Sequence, residues 1–164
     1  EVKGNEEKFV NLLNSNSKSE NEKDLKLNPK DDWEIAFEAC FYRDFLKSKR
    51  KPIRLTEYSP KRTFDLCLFS EKTIVIIEAK AQQLFQNSQV AKFIKDKNDI
   101  QSLIGSSINV LIVALASETY YKNYLNKYPS GNLLNEFDAY ISWDDLYQYY
   151  KNPLYQAAEK TYKH

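Results

Sequence analysis

Asp65, Glu78 and Lys80 are the residues of this 164-residue chain whose types and spacing can do chemistry. They interrupt "RTFDLCLFSEKTIVIIEAK", residues 62–80, which is otherwise two apolar runs joined by a short polar turn. A turn centred on Glu71 and Lys72 makes Phe69 face Ile74, Cys67 face Ile76 and Asp65 face Glu78. Antiparallel partners hold their side chains about 5 Å apart on one face, and Lys80, two residues beyond Glu78, shares that face. Two half-buried carboxylates so placed tend to stay protonated unless a cation sits between them. Mg²⁺ suits such a site, because it takes few carboxylates and keeps several waters. Lys80 can then hold a water or stabilise charge developing on a phosphate. The backbone carbonyl of Ala79 lies between the two functional side chains and can be a further ligand. The plainer alternative is a structural cluster in which Lys80 bridges both acids at the rim of a sheet.

Other chemistries are removed by composition. The only histidine is His164, so Ser-His-Asp or Cys-His nucleophiles and histidine-based zinc sites are not expected. Cys40 and Cys67 both fall in apolar periodic segments and read as reduced core residues, which suits a cytoplasmic, reducing compartment. With three glycines in the chain there is no glycine-rich phosphate loop. No apolar run reaches transmembrane length, and the charged N-terminus lacks a signal-peptide core. The absence of methionine suggests a processed or trimmed chain, or part of a longer one.

The elements that must position the three residues follow from pattern. Residues 1–28 read as a flexible or docking lead-in whose one apolar patch, "FVNLL", can be a helical turn or a docking segment; residues 29–164 read as one α/β domain. "NPKDDW" marks a helix start, with Asp31 or Asp32 as cap and the helix running to about Lys47. "IRLTEY" (53–58) reads as a first strand, and residues 64–69 and 73–79 as the hairpin, apolar enough to lie mid-sheet under cover on both faces. A helix over 89–104, the strand "NVLIVALAS", a helix over 117–128 ending at Pro129 and Gly131, the strand "FDAYIS" and two closing helices complete the order. This is an α/β sandwich around a mixed sheet. "SWDDL" reads as a capped start, Ser142 capping and Asp145 at the third helical position.

Asp65, then twelve residues, then "EAK" at the end of the next apolar strand resembles the PD-(D/E)xK, restriction-endonuclease-like nuclease superfamily. That core runs α-β-β-β-α-β, the order read here over residues 31–116. Phe64 rather than proline precedes Asp65. The resemblance implies a metal-dependent phosphodiesterase, endonuclease-like, acting on DNA or RNA. Asp65 and Glu78 would bind Mg²⁺ or Mn²⁺, and Lys80 would serve the attacking water. It further implies an acid from the first helix. Glu34 and Glu38 lie on one stripe with Phe41 and Phe45. Glu38 is preferred because it sits deeper in the apolar part, whereas the helix dipole accounts for Glu34. Gln82 continues the Glu78–Lys80 face if the strand extends that far; Gln83 and Gln89 are weaker assignments.

Charge distribution fits a polyanion partner. Residues 47–62 carry seven basic side chains against one acidic, a net of +6 in a chain of net +1. Lys49, Arg50, Lys51, Arg54, Lys61 and Arg62 can contact phosphates there, with affinity that falls with salt. The partner implied is nucleic acid, DNA before RNA, with no membrane; a homodimer or larger assembly is left open. The 12 tyrosines gather towards the C-terminus, where helical spacing favours a packed or partner-binding face over base stacking. A catalytically inactive module of the same fold, binding nucleic acid or protein, is the alternative function. In a purely structural cluster, neither Glu38 nor Glu34 would point at the hairpin.

Overall fold

Ile74, Val75, Ile76 and Ile77 are consecutive and apolar, so the strand that holds them must be covered on both faces. In the computed structural model, which describes residues 3–19, 25–127 and 133–162, all four are buried in β3 (Thr73–Ala79). β3 is the middle strand of a five-stranded mixed sheet ordered β1-β2-β3-β4-β5. Here β1 is Glu34–Ala39, β2 Phe64–Phe69, β4 Asn109–Ala116 and β5 Ala139–Ser142. The first three strands pair antiparallel, and β3-β4 and β4-β5 pair parallel. Phe69 pairs with Ile74 and Cys67 with Ile76 as expected, and the turn closes by Ser70 N–H donating to the Thr73 carbonyl; the ladder ends at Leu66–Ile77, so the expected Asp65–Glu78 pair lies just beyond it.

Helices cover both faces. On one side α1 (Glu6–Asn16), α5 (Trp143–Tyr150) and α6 (Pro153–Thr161) pack over Leu68, Val75, Ile77, Val113 and Leu115. On the other, α2 (Phe41–Ser48), α3 (Asn87–Ile104) and α4 (Glu118–Lys127) cover Cys67, Ile74, Ile76, Val110, Ile112 and Ala114. The expected stop of α4 at Pro129 and Gly131, and His164, lie outside the described residues.

One expectation is sharpened and two are corrected. The patch "FVNLL" is helical and docks: it belongs to α1, whose Phe9, Val10, Leu12 and Leu13 form one face and are buried in the core. Each such burial contributes roughly 1.5–3 kcal/mol, so of the two expectations for residues 1–28, flexible or docking, the described part docks on the sheet. Asn14 reinforces this by both donating to and accepting from the Leu27 backbone, and Lys18 bonds through both backbone groups to Tyr140, covering the β5 edge.

The helix expected from Asp31 to Lys47 is instead strand β1 followed by the short α2. Trp33, Ile35, Phe37, Ala39 and Phe41 alternate at period two, and pairing along β2 decides between that pattern and the helical stripe. With β1 occupying the place beside β2, "IRLTEY" has no strand to pair with and forms one 3₁₀ turn, Ile53–Leu55, within a loop.

Two local devices close the fold. Glu159 on α6 accepts from the backbone N–H groups of Glu118 and Asp144, so one carboxylate satisfies the first turns of both α4 and α5. Ser142 and Asp145 form the expected reciprocal cap at the start of α5.

Candidate functional site

The sheet brings Asp65, Glu78 and Lys80 to one place, where β2 begins and β3 ends. Asp65 is exposed, and its Oδ2 accepts from the Ala79 N–H at 2.9 Å. Glu78 is 7% exposed, on the α3 face with Ile74 and Ile76. Its Oε1 accepts from Lys80 Nζ at 3.0 Å. Lys80 lies just past the strand but stays in its line, because its N–H donates to the Leu115 carbonyl at 2.7 Å. Trp143 Nε1 donates to the Lys80 carbonyl at 2.9 Å, so both backbone groups of the lysine are held. Beside Glu78 in the parallel register is the buried Ala114.

Burial is the main cause holding Glu78 above the usual carboxylate range; the bond and charge of Lys80 and the charge of Arg62 oppose it, and the charge of Asp65 adds to it. Cys67, one pleat deeper, is pushed up to about 12 by burial and by the same two carboxylates. That thiol is a core residue, as expected, and no nucleophile. Two carboxylates and a neighbouring backbone carbonyl are the donor types that a hard ion such as Mg²⁺ takes. Among the described residues no group of three or more acidic, cysteine or histidine side chains is placed to enclose an ion.

Glu38 reaches this neighbourhood by another route than expected. It sits on β1, not on a helix, and is exposed. The flanking pairs Phe37–Leu66 and Ala39–Phe64 put its backbone opposite Asp65. Its φ is 49°, a left-handed conformation that costs a non-glycine residue roughly 1–2 kcal/mol. The distortion is shared by β2, where Phe64 and Cys67, three apart, are buried in the same cluster and strict alternation fails between them. Glu34 pairs with Phe69 at the far end of the ladder, away from Asp65. β3 stops at Ala79, so Gln82 does not continue the Glu78–Lys80 face. It is exposed in the following bend and lines an open cavity with Ala157, Lys160 and Thr161. Gln83 is exposed as well, and Gln89 accepts from the Gln86 N–H at the start of α3, a capping task.

The basic residues divide. Lys49, Arg50, Lys51, Arg54 and Lys61 are exposed, and Arg50 and Lys51 line a shallow cavity of about 440 Å³ with Arg43, Lys47, Pro52 and Ile53. Arg62 differs from its neighbours. Its Nε donates to Asp96 Oδ2 at 2.7 Å, and its guanidinium lies over the rings of Phe64 and Phe93 at 4.8 and 5.1 Å. The expectation of a free phosphate-binding arginine at 62 is corrected, because the charge is consumed inside the fold. Asp96, 8% exposed, also accepts from Tyr42 Oη at 2.6 Å, which drives the tyrosine pKa upward after burial itself. Asp96 was legible in principle, since Phe93, Asp96 and Ile100 follow helical spacing on the inward stripe of α3. Trp143 carried no such signal.

No protein-family model, no characterised protein and no solved structure matches this chain. Among the described residues no helix is long and apolar enough to cross a membrane.

Proposed function

We propose that this chain is a metal-dependent nuclease of the PD-(D/E)xK type, hydrolysing phosphodiester bonds in DNA, or in RNA. The observation that carries the reading is the convergence of Asp65, Glu78 and Lys80 at one sheet edge, joined by the Asp65–Ala79 and Lys80–Glu78 hydrogen bonds. Two further features bear on it. Over residues 31–116 the order is β1-α2-β2-β3-α3-β4 rather than the expected α-β-β-β-α-β; the reading takes α1 as the first helix and α2 as an insertion. The strained backbone of Glu38 lies opposite Asp65, and observed strain of this kind clusters at functional sites.

Asp65 and Glu78 would hold Mg²⁺ or Mn²⁺, with the Ala79 carbonyl and Glu38 as further candidates. When bound, the ion supplies charge neutralisation at the phosphate and makes a water more acidic. The chain's own part is positional. Lys80, fixed through Leu115 and Trp143, orients the attacking water and stabilises negative charge as the phosphorus–oxygen bond breaks. The exposed Lys49, Arg50, Lys51, Arg54 and Lys61 contact the phosphate backbone, with Arg43 and Lys47 added to the same surface.

The test is cleavage of duplex, single-stranded, branched and RNA substrates with Mg²⁺ or Mn²⁺. Activity that vanishes in Glu78→Ala and Lys80→Ala supports the reading, and no cleavage of any substrate sinks it. One observation favours the second reading, a binding module without turnover. Lys80 is already neutralised by Glu78 at 3.0 Å. Such a module would bind nucleic acid while showing no carboxylate-dependent stabilisation by either ion.

A further inference from the structure

β1 is the edge strand of the sheet, and no described segment pairs along its outer side. Its middle shows a fault in strand alternation. Ile35 packs against the layer of α1, α5 and α6, whereas Ala39, four residues on and expected on the same face, packs with Phe64 and Ile76 on the other. The faces exchange at Glu38, the residue with the left-handed backbone. Phe37 falls at that exchange and is left outside both layers: it is 59% exposed and makes no ring contact among the described residues. Leaving a phenylalanine in water forfeits roughly 1.5–3 kcal/mol of burial. Scattered exposed apolar side chains are ordinary; what sets this one apart is where it stands. Phe37 pairs with Leu66, the residue after Asp65, and is held by a hydrogen-bonded strand rather than a loop. Antiparallel partners have Cα atoms about 4.5–5.5 Å apart and successive Cα atoms about 3.8 Å, so the backbones of Phe37 and Asp65 lie within about 9 Å.

The same end of the sheet carries positive charge that no acid claims. The chain leaves β1 at Ala39 and returns at Phe64, its ladder partner, so residues 40–63 form an excursion rooted beside the ring. Within it Lys47, Arg50, Lys51, Arg54 and Lys61 have no acidic partner among the described residues, while six lysines elsewhere are ion-paired. Unpaired cations beside an uncovered aromatic ring are the combination that binds single-stranded nucleic acid: the cations take phosphates and the ring takes a base of any sequence.

We infer that Phe37 is a base-stacking platform, taking an unpaired base of a strand whose phosphodiester lies at Asp65, Glu78 and Lys80 and whose neighbouring phosphates run onto the basic excursion. A base reaches the ring only when it is free of its own stack, so the platform selects single-stranded or locally opened nucleic acid over intact duplex. The inference rests on the nuclease reading for the placement of the phosphodiester, but stacking itself needs neither metal nor turnover.

The experiment is fluorescence anisotropy in EDTA with a labelled oligo-dT, an abasic strand of the same length and charge, and a blunt duplex. Phe37→Ala removes the ring, Phe37→Leu keeps apolar bulk without the aromatic face, and Phe37→Trp restores a face. The position is exposed, so all three are expected to fold, and melting temperature checks that they do. Loss of one stacked base, about 1–3 kcal/mol, lowers oligo-dT affinity about 5- to 150-fold in Phe37→Ala and Phe37→Leu, while Phe37→Trp stays within about threefold of the unaltered protein. Binding of the abasic strand and the duplex should change less than about twofold in every variant. Oligo-dT affinity that survives loss of the ring, or a fall of equal size on the abasic strand or the duplex, overturns the inference. So does sedimentation in which the unaltered protein is a dimer and Phe37→Ala a monomer, because the ring then belongs to a second copy paired along β1. The nuclease reading fails separately, if oligo-dT binding depends on the ring and Mg²⁺ or Mn²⁺ still produces no cleavage.

Discussion

Two buried carboxylates in this molecule sit beside a cation, and they are built oppositely. Asp96 has both oxygens engaged, one by Tyr42 and one by Arg62, and the arginine is further clasped by two rings. Glu78 has one partner, Lys80, and an acidic neighbour, Asp65, on the same edge. The first arrangement ties α2, the loop before β2 and α3 together and leaves its carboxylate nothing to do. The second leaves a carboxylate that burial and a like charge push towards protonation. A satisfied buried network holds a fold, whereas a carboxylate with one bonded partner and a like charge beside it at the strand ends is the kind of group a cation stabilises.

The largest effect that would break the comparison is at Asp96. Asp96→Ala strands the Arg62 charge inside, where Nη2 already lacks a partner, and is expected to cost about 3–5 kcal/mol by urea denaturation. An effect under ~1 kcal/mol would mean that the two clusters are energetically alike. Next is metal. Mg²⁺ or Mn²⁺ at a hundredfold excess over its dissociation constant should add about 2.7 kcal/mol of stability. The gain should disappear in Asp65→Asn and Glu78→Gln but persist in Tyr42→Phe.

A smaller effect is the pH dependence without metal. Glu78 is raised in the folded state, so its contribution is full below the ordinary glutamate value of 4.5 and is lost as pH rises through the higher folded value. Glu159, also raised by burial in spite of the N–H groups it accepts, acts with the same sign. Melting temperature should therefore drift down with pH over this window, and Glu78→Gln should flatten the drift without abolishing it. The smallest effect separates the surface from both clusters. Lys51→Gln should change stability by no more than about 0.5 kcal/mol while lowering the salt slope of nucleic-acid binding by about one.

Much of the central half of the chain was legible in its residues, because local rules and tertiary context agree there. The turn at Glu71 and Lys72 set a register that the sheet keeps, and α3, β4 and α5 lie close to where pattern put them. The edge is where pattern alone was insufficient. Residues 33–45 carry both an alternating and a helical apolar pattern, and only the presence of β2 alongside chooses the strand. That choice moved Glu38 from a helix to a ladder position opposite Asp65. Arg62 was misread because a basic run gives no sign of which member turns inward; that depends on Asp96, 34 residues later. Trp143 reaches Lys80 across 63 residues, a contact no local spacing announces.

Glu159 carries a consequence for the order in which the molecule can be made. The helix that supplies this carboxylate follows both helices whose first turns it closes. A chain leaving the ribosome therefore presents α4 and α5 before their shared anchor exists. The strands that hold Asp65 and Glu78 precede it, but the first turns of α4 and α5 gain their shared acceptor only once α6 has been made.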